Sequence, residues 1–336
     1  MTNAVPELCD ISTGMTVMVS EFTLIERYLT RPTRHTVLAG GDDGALIAAR
    51  TGMQIVVASD MLVEGTHYFA DTPPHDLGWK TLAVNVSDIA AMGAQPRWAL
   101  LALALPGSDE AWLAAFADGL HACAGAFDVD LIGGDTTRGP RNQCVTILGE
   151  VPVGAAVLRS GARAGDEIWL SGEPGHAHLG LLNLRGEFSP VSPAARSRCL
   201  GALQRPQPRV ALGLALRGLA SAMLDVSDGV LADLRHILRA SGVGAELALD
   251  ALPLAPLRAC GASPVLAREA LLSGGDDYEL LWTAPPARHT DILACAQACG
   301  VAVHCIGHIV TGDVLVVRQA DGQPLPLKRL GYDHFA

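Results

Sequence analysis

Aromatic residues are scarce in this chain of 336 residues, at 4% of the total. Its cores must therefore be filled mainly by Ala, Leu, Val and Gly, and with 49% of residues apolar there is material for two domains. Basic residues are outnumbered, 24 Lys and Arg against 35 Asp and Glu, which leaves no basic stripe for nucleic acid. No apolar run reaches membrane-span length; the longest, Trp98 to Pro106, is a short buried segment, so no membrane partner is expected. The N-terminus carries acidic residues and no basic stretch, which argues against a signal peptide. Eight cysteines lie without CxxC spacing and read as reduced thiols of a cytoplasmic protein. A GxxxxGK[ST] phosphate loop is also missing, which excludes a P-loop enzyme.

What is present is a mixture of helical and strand patterns without regular alternation, which predicts an α+β architecture. Residues 1–19 lack periodicity and read as a loose leader; an N-terminal domain is expected over 20–153 and a C-terminal one over 154–336. "SEFTLIERYL" predicts a helix capped by Ser20. "ALIAA" and "QIVVAS" predict paired strands around Thr51-Gly52. "PHDLGWKTLAVNVSDIAAMG" predicts a helix, "RWALLALALP" a buried strand, and "SDEAWLAAFADGLHACAGAF" a helix capped by Ser108. Beyond the elbow "RPQPR", "MLDVSDGVLADLRHILRASG" reads as strand end, turn and helix.

Acidic residues recur where apolar runs break: Asp42 and Asp43 in "AGGDDGAL", Asp60 in "VVASDM", Asp88 in "VNVSDI", Asp135 in "IGGDTT", Asp225 and Asp228 in "LDVSDG", and Asp276 and Asp277 in "SGGDDYEL". Each alone is explained by a turn or a helix cap. Together they imply more. Two like charges about 4 Å apart cost about 4 kcal/mol at an effective dielectric near 20, so convergence would require cations. Carboxylates without Cys or His partners suit a hard ion such as Mg²⁺, shared with phosphates. His67 and Arg159 are candidate phosphate contacts, though a structural histidine and a solvated loop arginine fit the spacing as well.

The motifs "GGDDGA", "SDMLVEGTH", "AVNVSDIAAMGAQP", "LIGGDTTRG", "LRSGARAGD", "RPQPR", "DVSDGVLADL" and "SGGDDYEL" stand in an order that resembles the thiamine-monophosphate kinase family, within the aminoimidazole ribonucleotide synthetase-like superfamily. The resemblance implies a two-domain fold of that superfamily and a homodimer whose N-domain strands form a β-barrel. It implies ATP as co-substrate, thiamine monophosphate as acceptor, thiamine diphosphate as product, and several Mg²⁺ ions. By the same resemblance Asp43, Ser59, Asp60, Asp88, Asp135, Asp225 and Asp228 hold metal; Gly134, Asp135, Arg159 and Ser227 contact ATP; His67 and Asp276 meet the acceptor. No side chain serves as a general base. Three positions depart from the family pattern: Asp276 replaces a Glu, Ala58 stands where relatives have Ser, and Arg329 or Tyr332 falls near a substrate-stacking aromatic. Other acceptors within the superfamily and an ATP sensor without turnover are the competing readings.

Overall fold

A computed structural model describes residues 20–326 and Gly331. The expected leader, Arg329 and Tyr332 lie outside the described residues. Ser20 caps α1 (Glu21–Leu24) by accepting the Thr23 N–H at 3.3 Å, and the helix continues as a π turn, Ile25–Leu29. β1 (Thr36–Leu38) and β2 (Leu46–Ile47) pair with each other as a small ribbon. There follow β3 (Met53–Val63), α2 (Pro74–Ala91), β4 (Gln95–Leu105), α3 (Glu110–Phe127), β5 (Asp130–Arg138) and β6 (Asn142–Pro152). Their four-stranded sheet runs β3-β6-β4-β5, parallel only between β4 and β5.

Two expectations are corrected here. "QIVVAS" belongs to β3, which pairs with β6 along its whole length, whereas β2 pairs with β1. The cap of α3 is Asp109, whose carboxylate accepts the Trp112 N–H at 3.0 Å; Ser108 lies one residue too early to reach it.

The second unit contains β7 (Glu167–Ser171), α4 (His176–Leu184), α5 (Pro193–Gln204), α6 (Val210–Ala215), β8 (Ala222–Asp225), α7 (Val230–Ser241), β9 (Gly244–Ala248), α8 (Ala255–Ala259), α9 (Pro264–Ser273), β10 (Leu280–Ala284), α10 (His289–Cys299), β11 (Val303–Val310) and β12 (Leu315–Arg318). The six-stranded sheet runs β12-β9-β11-β7-β10-β8. Helices cover both faces, so "EIWLS" and "LLWTA" are apolar on both sides rather than alternating. Leu170, Leu224, Leu234 and Leu271 pack on one face. Trp169 and Trp282, opposite each other in register and stacked at 6.1 Å, pack with Leu212 and Ile292 on the other.

Helix α2 joins the units. Of its eighteen residues only Pro74, His75, Asp76 and Asp88 escape full burial. A helix apolar on nearly every side must be enclosed by protein. Its first side packs on the β3-β6-β4-β5 sheet and α3, and its second side on α6 and β8. Trp79 fixes the angle by donating its indole N–H to the Pro206 carbonyl, in the proline elbow, at 2.8 Å.

Candidate functional site

Three of the polar side chains that α2 carries reach other parts of the chain. Asn85 Oδ1 accepts the Asp60 backbone N–H from β3 at 2.9 Å. Ser87 Oγ donates to Asp225 Oδ2, at the end of β8, at 2.6 Å. Lys80 Nζ lies 3.0 Å from Asp276 Oδ1, in the loop before β10. With its own Asp88, one helix thus gathers Asp60, Asp88, Asp225 and Asp276 from both units.

These carboxylates feel one another. Burial, then the charges of Asp225 and Asp60, push Asp88 up to about 8, against the opposing pull of Arg159. Burial raises Asp225 to about 6, with the Ser87 hydrogen bond working against it and Asp60 adding to it. Asp60 is raised by crowding among protein atoms and then by Asp228, although its outer edge is open to solvent. Arg159, an exposed residue, is the cation whose charge reaches Asp88 and Asp225. Asp60, Asp88, Asp225 and Asp228 therefore form one anionic corner.

The placements also revise how the aspartates were read. Only Asp225 ends a strand. Asp60 lies within β3, Asp135 within β5, and Asp88 within a helix. Asp228 and Ser227 occupy the turn before α7. There Asp233 Oδ2 accepts the backbone N–H groups of Ser227, Asp228 and Gly229 at 3.0 to 3.1 Å. Those amides are consumed internally, so this turn offers side chains to a ligand rather than a backbone nest. Burial, despite these amides, raises Asp233 to about 7.

The two adjacent aspartates of "SGGDDYEL" part company. Asp276, at φ 66°, faces Lys80 and also accepts the Tyr278 hydroxyl at 3.2 Å. Asp277 turns the other way and accepts the Gly175 N–H at 2.7 Å, at the start of α4. Burial is the main cause that raises Asp277 well above the ordinary carboxylate range. Glu279 completes the segment: its carboxylate accepts the Ser171 hydroxyl at 2.5 Å and pairs with Arg209 through the guanidinium's Nε and Nη2. Gly275 is needed because a Cβ there would stand 2.3 Å from the Ser227 carbonyl. Its missing side chain lets the Asp276 N–H reach that carbonyl at 2.9 Å, locking the two acidic loops together.

Asp43 and Asp135 belong to a different setting. Both are exposed, Asp43 in the loop between β1 and β2, Asp135 on the edge strand β5. The loop that carries Asp43 passes alongside β5, with Gly40 next to Ile132 and Gly133. Gly134 has φ 144°, and a Cβ would strike the Leu101 carbonyl, so only glycine allows β5 to pass β4 this closely. Ser59 points to the opposite face of β3 from Asp60, and its hydroxyl donates to the Val145 carbonyl at 3.0 Å. His67 Nδ1 accepts the Val63 N–H at 3.0 Å, which leaves the ring proton on Nε2.

The donor set fits a hard divalent ion: oxygens only, crowded enough to resist ionisation without a counter-charge. Among the described residues no three Asp, Glu, His or Cys side chains already form a cage. Two surface depressions, one near Arg198 and His176 and one near Arg258 and Pro264, are lined by none of these aspartates. Lys80, Ser87, Asn85 and Asp233 were not singled out from the sequence. A lone lysine inside the apolar "GWKTLAV" was the available signal for the first.

Residues 41–151 match the family model described as AIR synthase related protein, N-terminal domain, and 163–319 match its C-terminal domain. The chain is 42% identical over 319 residues to the thiamine-monophosphate kinase of Escherichia coli K12, covering 94% of this chain and 98% of that relative. A crystal structure of thiamine-monophosphate kinase from Stenotrophomonas maltophilia K279a is 43% identical, with a TM-score of 0.81 over 91% of this chain and 98% of that one. A solved complex named "AaThiL complexed with AMPPCP and TMP" is 29% identical, with a TM-score of 0.73 over 93% and 97%. Escherichia coli HypE, at 20% identity and TM-score 0.76, shares the fold. The aspartate corner gathered on α2 thus stands in a chain that belongs to the thiamine-monophosphate kinase family, on the two-domain AIR synthase fold.

Proposed function

We propose that the protein transfers the γ-phosphoryl group of ATP directly to thiamine monophosphate, giving thiamine diphosphate and ADP. The observation that carries this reading is the anionic corner of Asp60, Asp88, Asp225 and Asp228, in a chain similar along nearly its whole length to kinases of that name.

A phosphate oxygen of the acceptor attacks the γ-phosphorus in line, and the ADP oxygen leaves. The acceptor phosphate is already ionised near neutral pH, so no general base is required; the protein supplies position and charge compensation. Asp43, Asp60, Asp88, Asp135, Asp225 and Asp228 would hold Mg²⁺, with Ser59 assisting through its backbone because its hydroxyl is engaged elsewhere. Bound there, the ions neutralise phosphate charge. Gly134 and Asp135 contact the nucleotide where β5 runs tight against β4. Ser227 adds a hydroxyl from its locked turn, and Arg159 brings a cation to an otherwise acidic wall. His67 presents an Nε2–H donor to the acceptor phosphate, and Asp276 contacts the acceptor from the other side.

The reading includes a cytoplasmic homodimer with boundaries near residues 20, 153 and 154. β3 is an eleven-residue edge strand whose outward Ile55, Val57 and Met61 are exposed. Such an edge needs a partner. No helix among the described residues is long and apolar enough to cross a membrane.

The test is ADP release in a coupled assay with ATP, Mg²⁺ and one acceptor at a time. ADP release dependent on thiamine monophosphate is expected. Equal release without it, or with a different phosphorylated acceptor only, overturns the reading.

A further inference from the structure

Lysine is nearly absent from this chain. Among 24 basic residues only Lys80 and Lys328 are lysines, the remainder being arginine. Lys80 lies on the buried helix α2, with a side chain only 4% exposed. A buried ammonium requires a partner, and Asp276 Oδ1 at 3.0 Å supplies it. The pair spans the two units of the fold: α2 packs on the N-terminal sheet, and Asp276 precedes β10 of the C-terminal sheet.

Asp276 itself is in an unusual state. It occupies the left-handed region, where a non-glycine residue persists only if its surroundings hold it. Three contacts do so. Its backbone N–H is tied to the Ser227 carbonyl at 2.9 Å, and its Oδ1 faces both Lys80 and the Tyr278 hydroxyl, at 3.0 and 3.2 Å. Two donors on one oxygen orient the carboxylate and direct Oδ2 away from them.

We propose that Lys80 is a positioning residue for the phosphoryl acceptor: through Asp276 Oδ1 it holds the carboxylate that meets the acceptor, and it makes that contact depend on the alignment of the two units. This deepens the kinase reading and rests on Asp276 touching the acceptor. The nucleotide contacts of the kinase reading fall elsewhere, on β5, in the turn at Ser227 and at Arg159, so a loss of Lys80 is expected to weigh on the acceptor far more than on the nucleotide.

The test is steady-state kinetics on the full-length protein, with ATP and thiamine monophosphate varied separately. Lys80→Met should raise KM for thiamine monophosphate about ten-fold and leave KM for ATP within about two-fold. In an Asp276→Asn background the same change should add less than about two-fold, because the route through Asp276 is already cut. Tyr278→Phe, which removes only a hydroxyl, should raise the acceptor KM about two- to three-fold, and it decides the matter if Lys80→Met fails to fold. Equal rises in both KM values, independent multiplication of the Lys80 and Asp276 effects, or an unchanged acceptor KM in Tyr278→Phe where it is the deciding variant overturns the proposal. A wild-type protein without thiamine monophosphate-dependent turnover would instead overturn the kinase reading itself.

Discussion

The corners at 39–46 and 273–280 have nearly the same sequence and opposite surroundings. In the first, Asp42 and Asp43 are both exposed, and the contact that shapes them is local: the Asp43 N–H donates to Asp42 Oδ1 at 2.9 Å. In the second, the two carboxylates diverge, one to Lys80 on α2, the other into the start of α4, with Glu279 paired to Arg209 behind them. Adjacent aspartates are tolerated in water by solvation, and inside a protein by sending each to its own donor. The buried corner is built before any ligand arrives. The exposed one presents charge to solvent beside Gly134 and Asp135.

This contrast can be broken experimentally, most forcibly behind the buried corner. Arg209→Met leaves Glu279 buried without its cation and should cost about 3 kcal/mol of stability, read by urea unfolding; a cost under about 1 kcal/mol would mean the pair is dispensable. Asp88→Asn should lower kcat at least about 100-fold with no loss of thermal stability, since Asn resembles the neutral carboxyl that burial and the neighbouring aspartates already favour. Activity within a few-fold of wild type would detach Asp88 from the reaction. Asp277→Ala should cost about 1 kcal/mol by uncapping α4, whereas Asp43→Ala should change stability by less than about 0.5 kcal/mol. Similar costs for the two would erase the distinction between the corners.

A dependence on pH tests the same corner without any substitution. Asp88 at about 8, Asp233 at about 7 and Asp225 at about 6 all lie above their ordinary value of 3.8. Raised folded-state values mean the native protein holds protons the unfolded chain has released, so stability falls as pH rises from about 4 to 8. Metal-free protein should therefore melt a few degrees lower at pH 8 than at pH 6. Added Mg²⁺ should recover more at pH 8, where the carboxylates are ionised. A larger Mg²⁺ effect at pH 6 would have the wrong sign.

Much of this was legible in the sequence. Periodicity locates α2, β4, α3 and α7, and the acidic motifs single out Asp60, Asp88, Asp225 and Asp228. What periodicity could not show was partnership. Two apolar runs across a Gly turn look like a hairpin, yet β3 finds its partner ninety residues on, since pairing is decided by the whole sheet. Ser-Asp looks the same as a cap before α3 and in the middle of α2, where Ser87 reaches Asp225; burial separates them. Lys80 was hidden by its surroundings, because an isolated charge in an apolar helix gives no periodic signal. Asp233 was hidden by distance from the ligand side, since its work is to hold the amides of the turn that carries Asp228.

Aspartates from both units form one anionic corner, which on the kinase reading divalent ions and a polyphosphate together make stable. Calorimetric titration of the ATP analogue AMPPCP into the wild-type protein and Asp88→Asn, each with Mg²⁺ and with EDTA, tests it most directly. Binding by wild type is expected only when Mg²⁺ is present, and binding by Asp88→Asn at least about ten-fold weaker. Equal affinity in EDTA and in Mg²⁺, unchanged by the substitution, would contradict it.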